Sequence, residues 1–332
     1  MMKEHILYKE TIKELIKNQS ELFQRVKNGD YSEVCYQQEQ KGQYGICDKN
    51  YTSRLRLAYY ILFEKADSED IVKSLFEEEL KDRQTNSFQG IGTCLEILTC
   101  LLMKYNCENK YQNLFQRAKN ANFDCACGYT ADIEVDSDLD NYKIEDCIDI
   151  AVKMKCFDYA EILVDCWKEN VSEWNEQTLY SLTCYNKNIG REIENEQSLR
   201  QLLDIRLSDG KNFDIISEWR NLIHYYIQFE NYEKAYQNLT DMKNQTKFFE
   251  IYRMNLFKHI LEDCMELICG YPDRANELWN WTKPFIKEYS AAGNMHGNLY
   301  KKSIEAAHIV RDSFEEELSK SYDIWKRKMN LV

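Results

Sequence analysis

Apolar residues at Ile6, Leu7, Ile12, Leu15, Ile16, Leu22, Phe23 and Val26 recur at intervals of three and four, the period of a helix that buries one face. Asn28-Gly29-Asp30 ends this pattern, and the polar stretch from Tyr31 to Asn50, holding Gly42 and Gly45, reads as a loop. The helical period returns over residues 52–65 and 68–83, with Asp67 or Ser68 as N-cap. After a turn at 86–92 it continues over 94–105 and 109–120. The pattern then changes at Phe123-Asp124-Cys125-Ala126-Cys127-Gly128-Tyr129, which opens an acidic segment carrying Asp132, Glu134, Asp136, Asp138 and Asp140. This segment is predicted to be an exposed connection or a short strand, and a seam between two halves. Helical pairs resume over 144–154, 157–170, 175–187, 195–207, 213–229, 232–244 and 247–268. Pro272 sits where a first helical turn tolerates it, Pro284 is expected to interrupt the next helix, and 298–328 reads as one long terminal helix.

Composition strengthens the helical reading. The 332 residues include 11 Gly and 2 Pro, where average usage would supply roughly 23 and 17. A turn-rich sandwich or a doubly wound sheet is therefore disfavoured. The expectation is an all-α chain of stacked antiparallel helix hairpins.

One window shows a repeat. Trp219, Leu222, Tyr226, Tyr232, Ala235 and Leu239 stand at spacings that resemble a tetratricopeptide repeat. A small Ala early in the second helix lets the first helix approach closely, and bulky residues fill either side. Ile223 replaces the usual small residue after the Leu, and Lys247 stands where a closing Pro is common. The same frame fits Ile144, Cys147, Ala151, Phe157, Ala160 and Val164 without the Trp, so the resemblance covers about 143–246. It implies a tetratricopeptide-like α-solenoid with an irregular N-terminal part. The expected division is a helical region over 1–122, an acidic connection over 123–142 and a tetratricopeptide-like region over 143–332.

Charge and cysteines limit the surroundings. With 43 Lys+Arg against 56 Asp+Glu the net charge is −13, so the chain as a whole lacks the footprint of a phosphate-backbone binder and no nucleic-acid partner is expected. Thirteen cysteines without regular spacing read as reduced thiols, which suggests a cytoplasmic protein. The N-terminal Met1-Met2-Lys3-Glu4-His5 leads into an amphipathic stretch with no signal-peptide h-region, and the apolar run from Leu57 to Phe63 is far too short to span a bilayer.

Candidate chemistry is sparse. Arg220-Asn221-Leu222-Ile223-His224 resembles the Arg-Asn…His signature of HEPN-type ribonucleases, with a shorter gap than that family's. The resemblance implies Arg220 and His224 as catalytic residues, and their spacing puts them on one helix face. Cys125-Ala-Cys127 is the only tight cysteine pair, and His296 and His308 lie far from it, so no metal site or cofactor is expected. The acids from Asp132 to Asp140 lack the Gly and the closing Glu of a calcium loop. They remain a negative patch suited to a basic partner. No phosphate-binding Gly-rich loop, His-Glu-x-x-His or Gly-x-Ser-x-Gly motif occurs, which argues against an enzyme. Tyr225, Trp279, Trp281 and Tyr289 are candidate aromatic contacts in a binding surface.

The reading favoured by these features is a non-enzymatic helical-repeat binder of protein or peptide. In composition the chain resembles immunity proteins that neutralise bacterial toxins by occluding a basic toxin domain. A peptide-sensing regulator and a ribonuclease using Arg220 and His224 are the alternatives.

Overall fold

A computed structural model describes residues 2–41, 45–66 and 68–329, with side chains from Leu7 onward; Gly42 and Asp67 lie outside the described residues. The chain is all-α apart from one small hairpin, and its helices pack consecutively. It divides into two compact units, 1–172 and 173–332.

The first unit begins with two helices, α1 (Met2–Lys17) and α2 (Ser20–Lys27), where the periodicity predicts one. The polar stretch after them is not wholly loop. It holds an antiparallel hairpin of β1 (Gln38–Lys41) and β2 (Gly45–Asp48), paired from Gln38 with Asp48 to Lys41 with Gly45. Helices α3 (Tyr51–Phe63), α4 (Glu69–Thr85), α5 (Thr93–Met103) and α6 (Gln112–Lys119) follow, with Ser68 as N-cap of α4. A short α7 (Phe123–Gly128) occupies the start of the expected acidic connection, and α8 (Ile144–Lys153) pairs with α9 (Phe157–Asn170). Both α8 and α9 also pack on α1, so the helices assigned from sequence to the start of the repeat region belong to the first unit.

Ion pairing holds the centre of this unit. The Arg54 side chain is fully buried and bonded to Glu79 Oε2 at 2.8 Å, to Asp48 Oδ2 at 2.6 Å and to the Val34 carbonyl at 3.0 Å. Arg83 joins from α4, pairing with Glu79 and Asp82 and lying over the Tyr51 ring. Hairpin, α3 and α4 thus share a single charged cluster. Burial pushes the Glu79 carboxyl up, against the pull of Arg54 and Arg83, as expected for a carboxylate removed from water.

The second unit is more regular. Four antiparallel pairs follow one another: α10 (Glu176–Ile189) with α11 (Glu192–Asp209), α12 (Asn212–Gln228) with α13 (Tyr232–Gln245), α14 (Asn255–Gly270) with α15 (Pro272–Ala291), and α16 (Gly297–Ile309) with α17 (Phe314–Lys328). The first helices of successive pairs also touch, α12 on α14 and α14 on α16. Gly190 and Gly210 end α10 and α11 at φ of +79° and +70°, a left-handed cap that only glycine adopts without strain. The buried repeat residues Trp219, Leu222, Tyr226, Ala235 and Leu239 form one core with Phe257, Leu261 and Leu278 from the next pair.

Two expectations fail here for local reasons. Pro284 does not interrupt α15; Pro284 and Asn280, whose carbonyl loses its helical partner, are both exposed, so the lost bond falls on the solvent side of the helix where it costs least. The terminal helix is two helices, parted where Arg311 takes φ of +54°.

Candidate functional site

The second unit presents a polar face built from its first helices. Periodicity places Phe257, Ile260, Leu261, Cys264, Met265 and Ile268 of α14 in the core, and interrupts them with Glu262 and Asp263, which are also buried. Buried carboxylates require partners. The neighbouring helices supply them, α12 on one side and α16 on the other.

Asp263 accepts from Arg220 Nε at 2.8 Å and Nη2 at 3.4 Å, and from His224 Nδ1 at 2.9 Å. The one-face placement expected of Arg220 and His224 is therefore present, and a shared acid on another helix holds both. With the Gln228 amide nitrogen 3.1 Å from His224 Nε2, the imidazole donates through Nδ1 and accepts through Nε2.

These residues form one wall of a groove of about 310 Å³. Tyr180, Thr183, Cys184 and Lys187 of α10 make the opposite wall, with Asn195 and Leu199 of α11 between. Arg220, Asn221, His224, Tyr225 and Gln228 complete the lining. Lys187 is exposed and makes no ion pair among the described residues. Asn195 is 7% exposed, and its Oδ1 has no hydrogen-bond partner among the described residues. Below the wall, burial raises the Glu218 carboxyl while the Asn221 amide bonded to it at 3.2 Å opposes that shift.

On the other side of α14, Glu262 accepts from Asn298 Nδ2 at 2.7 Å and from His259 Nδ1 at 3.0 Å, while His296 Nε2 stands 3.7 Å from its Oε1. His259, Glu262 and His296 offer ligand atoms that all lie within 4.8 Å of one another. Lys302 bonds to Glu266 one turn further along.

The other sequence candidates fall elsewhere. Asp132, Glu134, Asp136, Asp138 and Asp140 are all exposed and belong to the first unit. The stretch forms no strand and ends in a single 3-10 turn over Leu139–Asn141; Asp136 accepts from the Asp138 backbone and Asn141, and Asp138 from the Asp140 backbone. Lys9 of α1 donates to the carbonyls of Leu139, Asp140 and Tyr142 at 2.6–2.9 Å, and Lys13 pairs with Asp140 at 2.7 Å.

Trp279 and Tyr289 are buried, so they cannot offer a partner a surface. Trp279 donates to Asp312 at 2.8 Å and Tyr289 to the Tyr252 carbonyl. Tyr225, at 8% exposure, donates to the Glu192 carbonyl and shows only an edge to the groove. Trp281 is half-buried under the Lys243 ammonium.

Sequence reasoning missed Asp263, Asn195, Lys187 and the His259–Glu262–His296 group. The legible signal was the Glu262-Asp263 pair inside an apolar helical period, with a His three residues before it.

No protein-family model, curated protein or solved structure matches the chain. Function therefore rests on this geometry. No helix among the described residues is long and apolar enough to cross a membrane.

Proposed function

We propose that the chain is a non-enzymatic, cytoplasmic, tetratricopeptide-like helical-repeat protein that binds a protein or peptide segment in the groove between α10 and α12. The groove itself carries this reading, since it sets the exposed Lys187 ammonium, which makes no ion pair among the described residues, opposite the Asn221 and Gln228 amides. Asn221 and Gln228 add amides that can both donate to and accept from a peptide backbone. Lys187 favours a ligand with an acidic side chain or a terminal carboxylate at that end.

The test is selection from a displayed random-peptide library on the whole protein, with Gln228→Ala and Lys187→Glu as comparison baits. Enriched peptides should bear an acidic residue and lose at least tenfold in affinity for either variant. Absence of enrichment, or enrichment indifferent to both substitutions, would overturn the proposal.

Two narrower readings have their own support. Immunity by occlusion of a basic toxin domain draws on the net charge of −13 and the exposed carboxylates of 132–140, since opposite charge steers association. It predicts binding that weakens steeply with salt. A ribonuclease draws on the Asp263 carboxylate, which orients His224 beside Arg220. Against it, Asp263 neutralises the Arg220 charge and Gln228 occupies His224 Nε2. RNA cleavage lost in His224→Ala would establish it.

A further inference from the structure

We propose that His259, Glu262 and His296 form a binding site for a divalent first-row transition metal of the zinc class, joining α14 to α16. The ligand chemistry is two imidazoles and one carboxylate without thiolate, a set that suits zinc and its neighbours and leaves coordination positions for water or an incoming ligand. His259 and Glu262, three apart on α14, project from one face. His296 arrives from the N-cap of α16.

The distances fit. Zinc bonds of about 2.0–2.1 Å place tetrahedral ligand atoms about 3.3 Å apart. His259 Nδ1 lies 3.0 Å from Glu262 Oε2 and His296 Nε2 lies 3.7 Å from Glu262 Oε1, and one ligand atom from each of the three residues falls within 4.8 Å of the others.

The surroundings suit a metal. Glu262 is 6% exposed and its carboxylate is held by Asn298 Nδ2, an outer contact of the kind that orients metal ligands. The two histidines are part-exposed, so an ion can enter from solvent. His296 Nε2 is buried and makes no hydrogen bond among the described residues. Nearby ammonium groups are engaged elsewhere, Lys258 with Asn294 at 2.8 Å and Lys302 with Glu266. Ligation through Nε2 moves the ring proton to Nδ1 and gives up the long 3.4 Å cap contact from the Leu299 amide.

The experiment is titration of the whole, reduced protein with zinc by calorimetry and with cobalt(II) by absorption. One equivalent should bind, with cobalt bands of nitrogen and oxygen ligation and no thiolate charge-transfer band. His259→Ala, at an exposed side chain that caps nothing, should weaken binding at least tenfold while the circular dichroism stays unchanged. Glu262→Gln should do the same, and His308→Ala should leave affinity unaltered. Saturating zinc should also raise the thermal midpoint of the wild type and not of His259→Ala. A thiolate band at one equivalent, or equal affinity of wild type and folded His259→Ala, would overturn the site.

Discussion

Each unit gathers arginine and carboxylate at its centre, and the two clusters differ in solvent access. In the first, Arg54, Asp48 and Glu79 are sealed from water and join the hairpin to two helices. In the second, Asp263 is buried, but Arg220 and His224 retain 23% and 30% exposure and line a groove. Charge clustering alone therefore does not mark a binding site. A sealed cluster offers its charges only to one another and to the fold, whereas a cluster open on one side exposes side chains that a ligand can reach.

The largest expected effect comes from breaking the sealed cluster. Arg54→Ala leaves Asp48 and Glu79 buried without their shared cation, and should cost about 3–5 kcal/mol, read as a lower urea midpoint. The open cluster is more forgiving. Asp263→Asn removes the charge that anchors Arg220 and His224, which can then rehydrate, so the loss should be about 2 kcal/mol. If the two substitutions cost the same, the contrast between sealed and open clusters fails.

Packing between repeats gives a smaller effect. A Cβ on Gly270 would run into the Tyr232 ring, so Gly270→Ala should lose about 1–2 kcal/mol by overpacking. In a Tyr232→Ala background the same substitution should be neutral or stabilising, and a double-mutant cycle on urea midpoints would show it.

The smallest effect is electrostatic. Lys283, with help from Trp279 and the Phe314 amide, lowers the Asp312 carboxyl from 3.8 to about 2. Its contribution is complete above the unfolded value and lost as pH falls through the folded one. Stability should decline between about pH 4 and pH 2 by about 1 kcal/mol after solvent screening, and Asp312→Asn should flatten that part of the profile.

The regular part of the fold was legible in the sequence because most of its helices bury one stripe at a steady period. The hairpin at 38–48 was not, since β1 is wholly exposed and offers no apolar alternation. The break at Arg311 was hidden for the opposite reason, because the apolar period runs on through a backbone turn. Arg220 and His224 could be paired from spacing on one helix. Asp263 could not, because the contact joins two repeats and no period within one helix reports it. Trp279 and Tyr289 show the limit of reading aromatics as contacts, since the same residues fill the core between repeats.

Under the proposed function the open groove of the second unit, and not the acidic stretch of the first, recognises the ligand. The direct test is the affinity of a library-selected peptide for Lys187→Glu and for a variant with Asp132, Glu134, Asp136, Asp138 and Asp140 changed to the corresponding amides, each at low and high salt. At least a tenfold loss is expected in the first and an unchanged affinity in the second. Loss confined to the amide variant, and greatest at low salt, would contradict it.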